Sequence, residues 1–178
     1  MKKMTMVLAL AMLTGAAFAQ KKTTTSGTII FDATTPGDAL PKAENKATIA
    51  AIDTKTGTVA FESLVKNFSF SNARIQDHFN GAKWMDSEQF PKATFKGKIT
   101  NLSAVNFKKD GSYKANVEGD LTMHGITKPV STTASILVKG GMINTNSEFT
   151  VKLTDYELGN AGGKLADEPK ITVVATFN

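Results

Sequence analysis

The chain has no cysteine among its 178 residues. That excludes a disulfide framework, a Cys-ligated zinc or iron–sulfur site, a thiol nucleophile and a lipid anchor on cysteine. Arginine is almost missing too, with Arg74 alone. The lysines are scattered, as at Lys21, Lys42, Lys55, Lys66, Lys96, Lys108 and Lys139. A phosphate-tracking surface concentrates its basic residues on one stripe, whereas dispersed lysines keep strands soluble and their edges unpaired. Nucleic acid is therefore not an expected partner. His78 and His124 are the only histidines, too few to suggest a metal centre. There is no Gly-x-Ser-x-Gly elbow, no Walker sequence and no Gly-x-Gly-x-x-Gly. Asp155, Glu157, Asp167 and Glu168 could supply a carboxylate pair for glycoside hydrolysis, but loop charges are the simpler reading. No catalytic residue, metal or cofactor is assigned, and the chain is not expected to be an enzyme.

Long hydrophobic runs are lacking except at the start. Met4 to Ala17 is apolar apart from Thr5, Thr14 and Gly15, and Lys2 and Lys3 precede it. The run is short of the ~20 residues that span a bilayer. It ends in Ala17-Phe18-Ala19, small residues at the −3 and −1 positions of a cleavage site. Residues 1–19 are thus expected to be a cleaved export signal, and 20–178 a single domain without a stable membrane anchor. Losing Lys2 and Lys3 lowers the formal charge of +5 by two.

What is abundant is threonine and alternation. Ala115, Val117, Gly119, Leu121 and Met123 are apolar or small, while Lys114, Asn116, Glu118, Asp120 and Thr122 between them are polar. That is a strand with one wet face. Ala93 to Thr100 and Val130 to Val138 repeat the pattern, as do Ile143 to Leu153 and Ile171 to Phe177. Thr58 to Val65, Lys46 to Ile52 and Gly27 to Phe31 complete about eight strands. Turn sequences separate them, including Asp53 to Gly57, Asp110-Gly111, His124 to Pro129 and Gly140-Gly141. The expected fold class is all-β, an antiparallel sandwich or barrel.

One stretch departs from the pattern. Ser71-Asn72 can cap a helix, Ile75 and Phe79 fall on one helical face, and Gly81 can end it. One short helix is predicted near Asn72 to Asn80. Phe68, Phe70, Phe79, Trp84 and Phe90 gather aromatic surface around it. They read either as core packing or as a lid over a cavity mouth.

The inward rows raise a question of volume. Ala93, Gly97, Ala115, Gly119, Ala134, Thr145, Ser147 and Ala175 are small. An eight-stranded barrel is just wide enough to be filled by side chains or to hold one ligand. Phe61, Phe95, Val117, Leu121, Met123, Ile136 and Phe149 would then form an apolar wall suited to a long hydrophobic ligand. Gly97, Ala115 and Gly119 are expected to border that cavity, so that Gly119→Phe would fill ligand space without unfolding the chain. The alternative is a sandwich with a filled core, a structural or adhesive domain without a ligand.

Three stretches carry a family resemblance. Gln76-Asp77-His78-Phe79-Asn80, Trp84-Met85-Asp86-Ser87 and Phe90-Pro91-Lys92-Ala93-Thr94-Phe95-Lys96-Gly97 together resemble the central signature of YceI-like lipid/polyisoprenoid-binding proteins. Gly119 to Val130, with Met123-His124-Gly125 at its centre, is similar to the second signature, and Phe149 through Tyr156-Glu157-Leu158 to the third. The resemblance implies a lipocalin-like antiparallel β-barrel, exported to a bacterial periplasm or secreted. It implies an apolar interior holding an isoprenoid or other amphiphilic lipid, no catalytic residues, and a lid in which Phe79 and Trp84 take part. Asn160 to Lys164 is richer in glycine than a closing strand of that family would suggest. Ligand identity and oligomeric state, a dimer included, stay open. N-terminal sequencing of the native product should begin at or near Gln20; a cytoplasmic product retaining Met1 would contradict export.

Overall fold

A computed structural model describes residues 20–39, 41–159 and 161–178. The export signal at 1–19 lies outside the described residues. The elements are β1 (Lys21–Asp32), β2 (Lys42–Asp53), β3 (Thr58–Leu64), β4 (Ser69–Phe70), helix α1 (Ala73–Asn80), β5 (Lys92–Ile99), β6 (Gly111–Met123), β7 (Ile126–Lys139), β8 (Met142–Thr150) and β9 (Lys170–Phe177). Every pairing is antiparallel. The order β1-β9-β8-β7-β6-β5-β3-β2 closes on itself through β1–β2, giving a barrel of eight strands, and β4 is appended to the start of β2. Closure removes the sheet edges that would otherwise invite aggregation.

Tight turns set the registers. His124-Gly125 joins β6 to β7 with φ of 52° and 73°, and Gly140-Gly141 joins β7 to β8 with 57° and 82°. Two successive positive φ angles match the right-handed twist of a hairpin. The predicted helix forms because Asn72 caps it, its side-chain oxygen accepting from Arg74 N at 2.9 Å and Ile75 N at 3.3 Å. Gly81 ends it in an extended conformation, with φ −70°, rather than in the left-handed one usual for a terminating glycine.

Several boundaries differ from the sequence reading. β1 starts at Lys21 and β2 at Lys42, both earlier than apolar alternation suggested: the start of β1 is mostly exposed and laddered to β2, and the buried positions at the start of β2 are the small Ala43 and the polar Asn45. β8 stops at Thr150, and Leu153–Tyr156 instead forms a 3-10 turn. Ile126 to Pro129 belongs to β7, not to a turn. Pro129 is tolerated in mid-strand because there β7 pairs with β6 only; its ladder with β8 starts at Ala134.

The core has two parts. At one end Ile52, Val59, Ile99, Val117, Ile136, Val138, Ile143 and Phe177 pack into a floor. At the other Phe31, Val65, Phe68, Phe79, Met85, Leu153, Tyr156 and Leu158 form a roof supplied largely by α1 and the connecting segments. Ala115 is completely buried in the floor cluster. Gly97 and Gly119 face one another across β5 and β6. A Cβ on Gly119 would press on the Lys96 carbonyl and lie 2.5 Å from Gly97 Cα and 2.7 Å from Phe95 Cζ. Neither glycine opens onto free space, so the expectation for Gly119→Phe is reversed. Forcing a large group against backbone should cost about 3 kcal/mol, the upper end of the usual overpacking range, or roughly 6–12 °C in Tm for a chain of this size. A thermal scan of Gly119→Phe checks this, and an unchanged Tm would contradict the packing described.

Candidate ligand cavity

Between floor and roof the barrel is hollow, with a cavity of about 140 Å³. Its deep wall is made by Ile52, Val59, Ile99, Val117, Ile136 and Phe177. Phe61, Phe95 and Leu121 lie side by side across β3, β5 and β6 and form a band above it. Phe149, Ile171, Val173, Ala93 and Ala134 complete the girth, and Phe31, Phe68, Phe79, Trp84 and Met85 cover the other end. The large inward side chains Phe61, Phe95, Leu121, Met123, Phe149 and Ile171 are only partly buried. In a filled core they would be as enclosed as Ile52 or Ile99. Their free surface is the lining of the lumen.

The wall stays apolar because the hydroxyls of Ser63, Thr132, Thr145 and Ser147 are already engaged. Ser63 pairs with buried Thr48 at 2.7 Å. Thr132 donates to the Glu148 carbonyl at 3.1 Å and lies 3.0 Å from the Ser147 hydroxyl, which reaches the Thr133 carbonyl at 3.0 Å. Thr145 donates to the Ala175 carbonyl at 3.3 Å. Among the described residues no charged side chain contributes to the lining. A ligand entering here gains burial of hydrocarbon and finds little polar wall to orient it.

Nine of the twelve residues expected at the site stand in this wall: Phe61, Phe79, Trp84, Phe95, Val117, Leu121, Met123, Ile136 and Phe149. Gly97, Ala115 and Gly119 do not. Ala115 lies within the floor packing, and the Phe95 ring covers the two glycines. Ile171 and Val173 were within reach of the sequence, since both belong to the inward row of β9. Leu153 and Leu158 were not, because they sit on an irregular segment with no period to read.

The aromatic insertion is both core and roof. Phe79 packs against Phe31, Phe68, Phe70 and Trp84 with ring centroids 4.9 to 6.0 Å apart. The Trp84 indole N–H donates to the Gly159 carbonyl at 3.0 Å, joining this insertion to the segment that follows β8.

The signature residues meet beside the roof. His124 Nδ1 lies 2.9 Å from the Tyr156 carbonyl, which can only accept, so Nδ1 carries the hydrogen. The Phe90 ring stands edge-on to the His124 ring at 4.9 Å. A Cβ on Gly125 would lie 2.6 Å from that Phe90 ring, so glycine is required by space as well as by its φ. Burial, with a smaller push from Asp155, raises the Tyr156 phenol to about 12 and keeps it neutral. His124 is thus a tie between the β6–β7 hairpin and the 3-10 turn. His78 is exposed on α1. Among the described residues no group of three or more His, Cys, Asp or Glu is placed to share a metal ion.

Comparison with known proteins places this geometry. The model of the YceI-like domain matches residues 13–177. Protein YceI of Escherichia coli O157:H7 is 26% identical over 109 residues, which is 58% of this chain and 53% of that protein. Protein YceI of Salmonella arizonae is 25% identical over the same span. The chain spans about half the length of the curated relatives it matches. Among solved structures, a polyisoprenoid-binding domain from Saccharophagus degradans, implicated in plant cell wall breakdown, superposes with a TM-score of 0.74 at 12% identity, covering 89% of this chain and 98% of that one. Burkholderia cenocepacia BcnA gives 0.70 at 19% identity, covering 84% and 95%. These structural likenesses show the same barrel, and with the domain match over nearly the whole length they establish that the chain belongs to the YceI-like family.

Proposed function

We propose that the protein is an exported binding or carrier protein that holds an isoprenoid or other amphiphilic lipid in the barrel lumen. The observation that carries this reading is the wall itself: a cavity enclosed by a closed barrel, lined among the described residues without a charged side chain, with the hydroxyls of Ser63, Thr132, Thr145 and Ser147 turned to other hydroxyls or to backbone. The structural alternative needs a filled core, and the partly exposed inward phenylalanines fit it poorly. Family membership and the polyisoprenoid-binding description of the Saccharophagus degradans domain support the same ligand class. The lysine-led apolar leader supports export, to a periplasm or beyond.

Size adds a condition. The lumen is close to the ~150 Å³ cavity that admits benzene, and below the ~300–1,000 Å³ of pockets for drug-sized ligands. A long chain therefore has to widen the lumen. The strands are locked by their ladders, so the roof, which is held by side-chain packing and single hydrogen bonds such as that from Trp84 to Gly159, is the part that has to yield. Trp84 is the only tryptophan and lines the cavity. Farnesol titrated into the protein should produce a saturable change in tryptophan emission, and Trp84→Phe should lose the signal while still taking up the alcohol by equilibrium dialysis. Absence of both emission change and uptake in the unsubstituted protein would overturn the reading.

A further inference from the structure

Phe95 and the two glycines beside it form an arrangement that the general idea of an apolar lumen does not account for. Gly97 follows Phe95 by two residues on β5 and so lies on the same inward face. Gly119 is directly opposite Gly97 on β6, and Leu121 is opposite Phe95. The Phe95 ring leans along the strand and lies across the bare glycine pair. Its Cε1 and Cζ come within 2.7 Å of where a Cβ on Gly97 would be, and its Cζ within 2.7 Å of where one on Gly119 would be. Diagonal neighbours across a sheet are within reach of an aromatic ring, and here the missing side chains leave a shallow niche that the ring occupies. The ring also lines the cavity, as do Ile99 and Val117 beyond it toward the floor.

The consequence concerns depth. Side chains occupy a few staggered wells, so a ring displaced from one must take another. A Cβ in the niche would drive Phe95 off the wall, and the space open to it is the lumen. With the ring flat, the cavity runs past the Phe61–Phe95–Leu121 band to Ile99, Ile136 and Phe177. With the ring raised, it would end at that band.

We propose that the glycine niche holding Phe95 sets the depth of the lumen and so determines the chain length of the lipid this protein prefers. This rests on the lipid-binding reading above and adds to it a residue that governs selectivity. Each methylene kept out of the lumen is worth roughly fourfold in affinity, so even a modest loss of depth falls heavily on long chains.

The test compares farnesol with the longer isoprenoid alcohol solanesol on the full-length mature protein. Gly97→Ala should lower the solanesol-to-farnesol affinity ratio by about tenfold or more. Phe95→Ala/Gly97→Ala removes the ring that would be displaced and should restore the ratio to within about threefold of the unsubstituted protein. A structural role for Gly97 alone would not give that rescue, because the added Cβ still lies 2.6 Å from the Glu118 carbonyl in both variants. An unchanged ratio in Gly97→Ala, or a double variant as impaired as the single, overturns the proposal. If Gly97→Ala does not fold, Phe95→Ala alone decides: with the ring gone the lumen widens at that level, and the affinity for retinol, which carries a bulky ring, should rise relative to farnesol by about fivefold or more. An unchanged retinol-to-farnesol ratio overturns the proposal equally. If the unsubstituted protein binds none of the three alcohols, it is the lipid-binding reading that fails.

Discussion

The closed hydrogen-bond ladder is the constraint on which the rest depends. Eight antiparallel strands, joined through β1–β2 and β1–β9, fix a circumference that side-chain attraction cannot shrink without breaking backbone hydrogen bonds. Whether such a barrel is solid or hollow is then decided by the volumes of its inward residues. At the floor they are large and interlocked, as Ile52, Ile99, Ile136 and Phe177 show. Around the lumen the small Ala93, Ala134, Thr145 and Ser147 leave a gap that Phe61, Phe95, Leu121 and Phe149 line but do not fill. The cavity follows from a ladder of set girth around side chains of insufficient volume.

The same constraint assigns work to the irregular parts. A ladder can close the sides of a barrel but not its ends. The floor is closed by side chains from the strands, helped by Leu102, Phe107 and Tyr113 from the edge of the β5–β6 connection and the start of β6. The other end is closed by α1, the loop carrying Trp84 and Met85, and the segment holding Leu153, Tyr156 and Leu158. Three ties fasten these pieces: Trp84 to Gly159, His124 to Tyr156, and Phe90 against His124 and Gly125. The stretches that carry the family resemblance are largely those that build this roof and its fastenings. They contribute chemistry of position rather than of reaction.

Period-2 alternation made the barrel legible, because a strand with one buried face must alternate, and Ala115 to Met123 or Val130 to Val138 do so plainly. It failed where burial does not govern. Lys21 to Ser26 is a strand with mostly exposed residues, whose ladder is with β2 alone, and no apolar alternation marks it as a strand. Pro129 looked like a turn residue because proline is foreign to a central strand; only the offset between the β6 and β8 ladders makes its place acceptable. The wall was mostly readable from the inward rows, which brought nine residues to it. Gly97 and Gly119 were misread because alternation says which face a residue is on, not whether a neighbour's ring already occupies the space above it. Ala115 shares the row but is completely covered by its neighbours, although Ala134 directly opposite it reaches the lumen. The roof residues Leu153 and Leu158 come from a segment whose shape is set by tertiary packing.

The central claim is that the lumen is occupied by a lipid when the protein does its work. Native mass spectrometry of the mature protein, purified without detergent from a bacterium that exports it, tests this most directly. The account predicts a co-purifying species in the mass range of an isoprenoid, quinone or similar lipid, released on gentle activation to leave the bare chain. The bare chain alone, reproducibly and with no uptake of added isoprenoid alcohol, would contradict it.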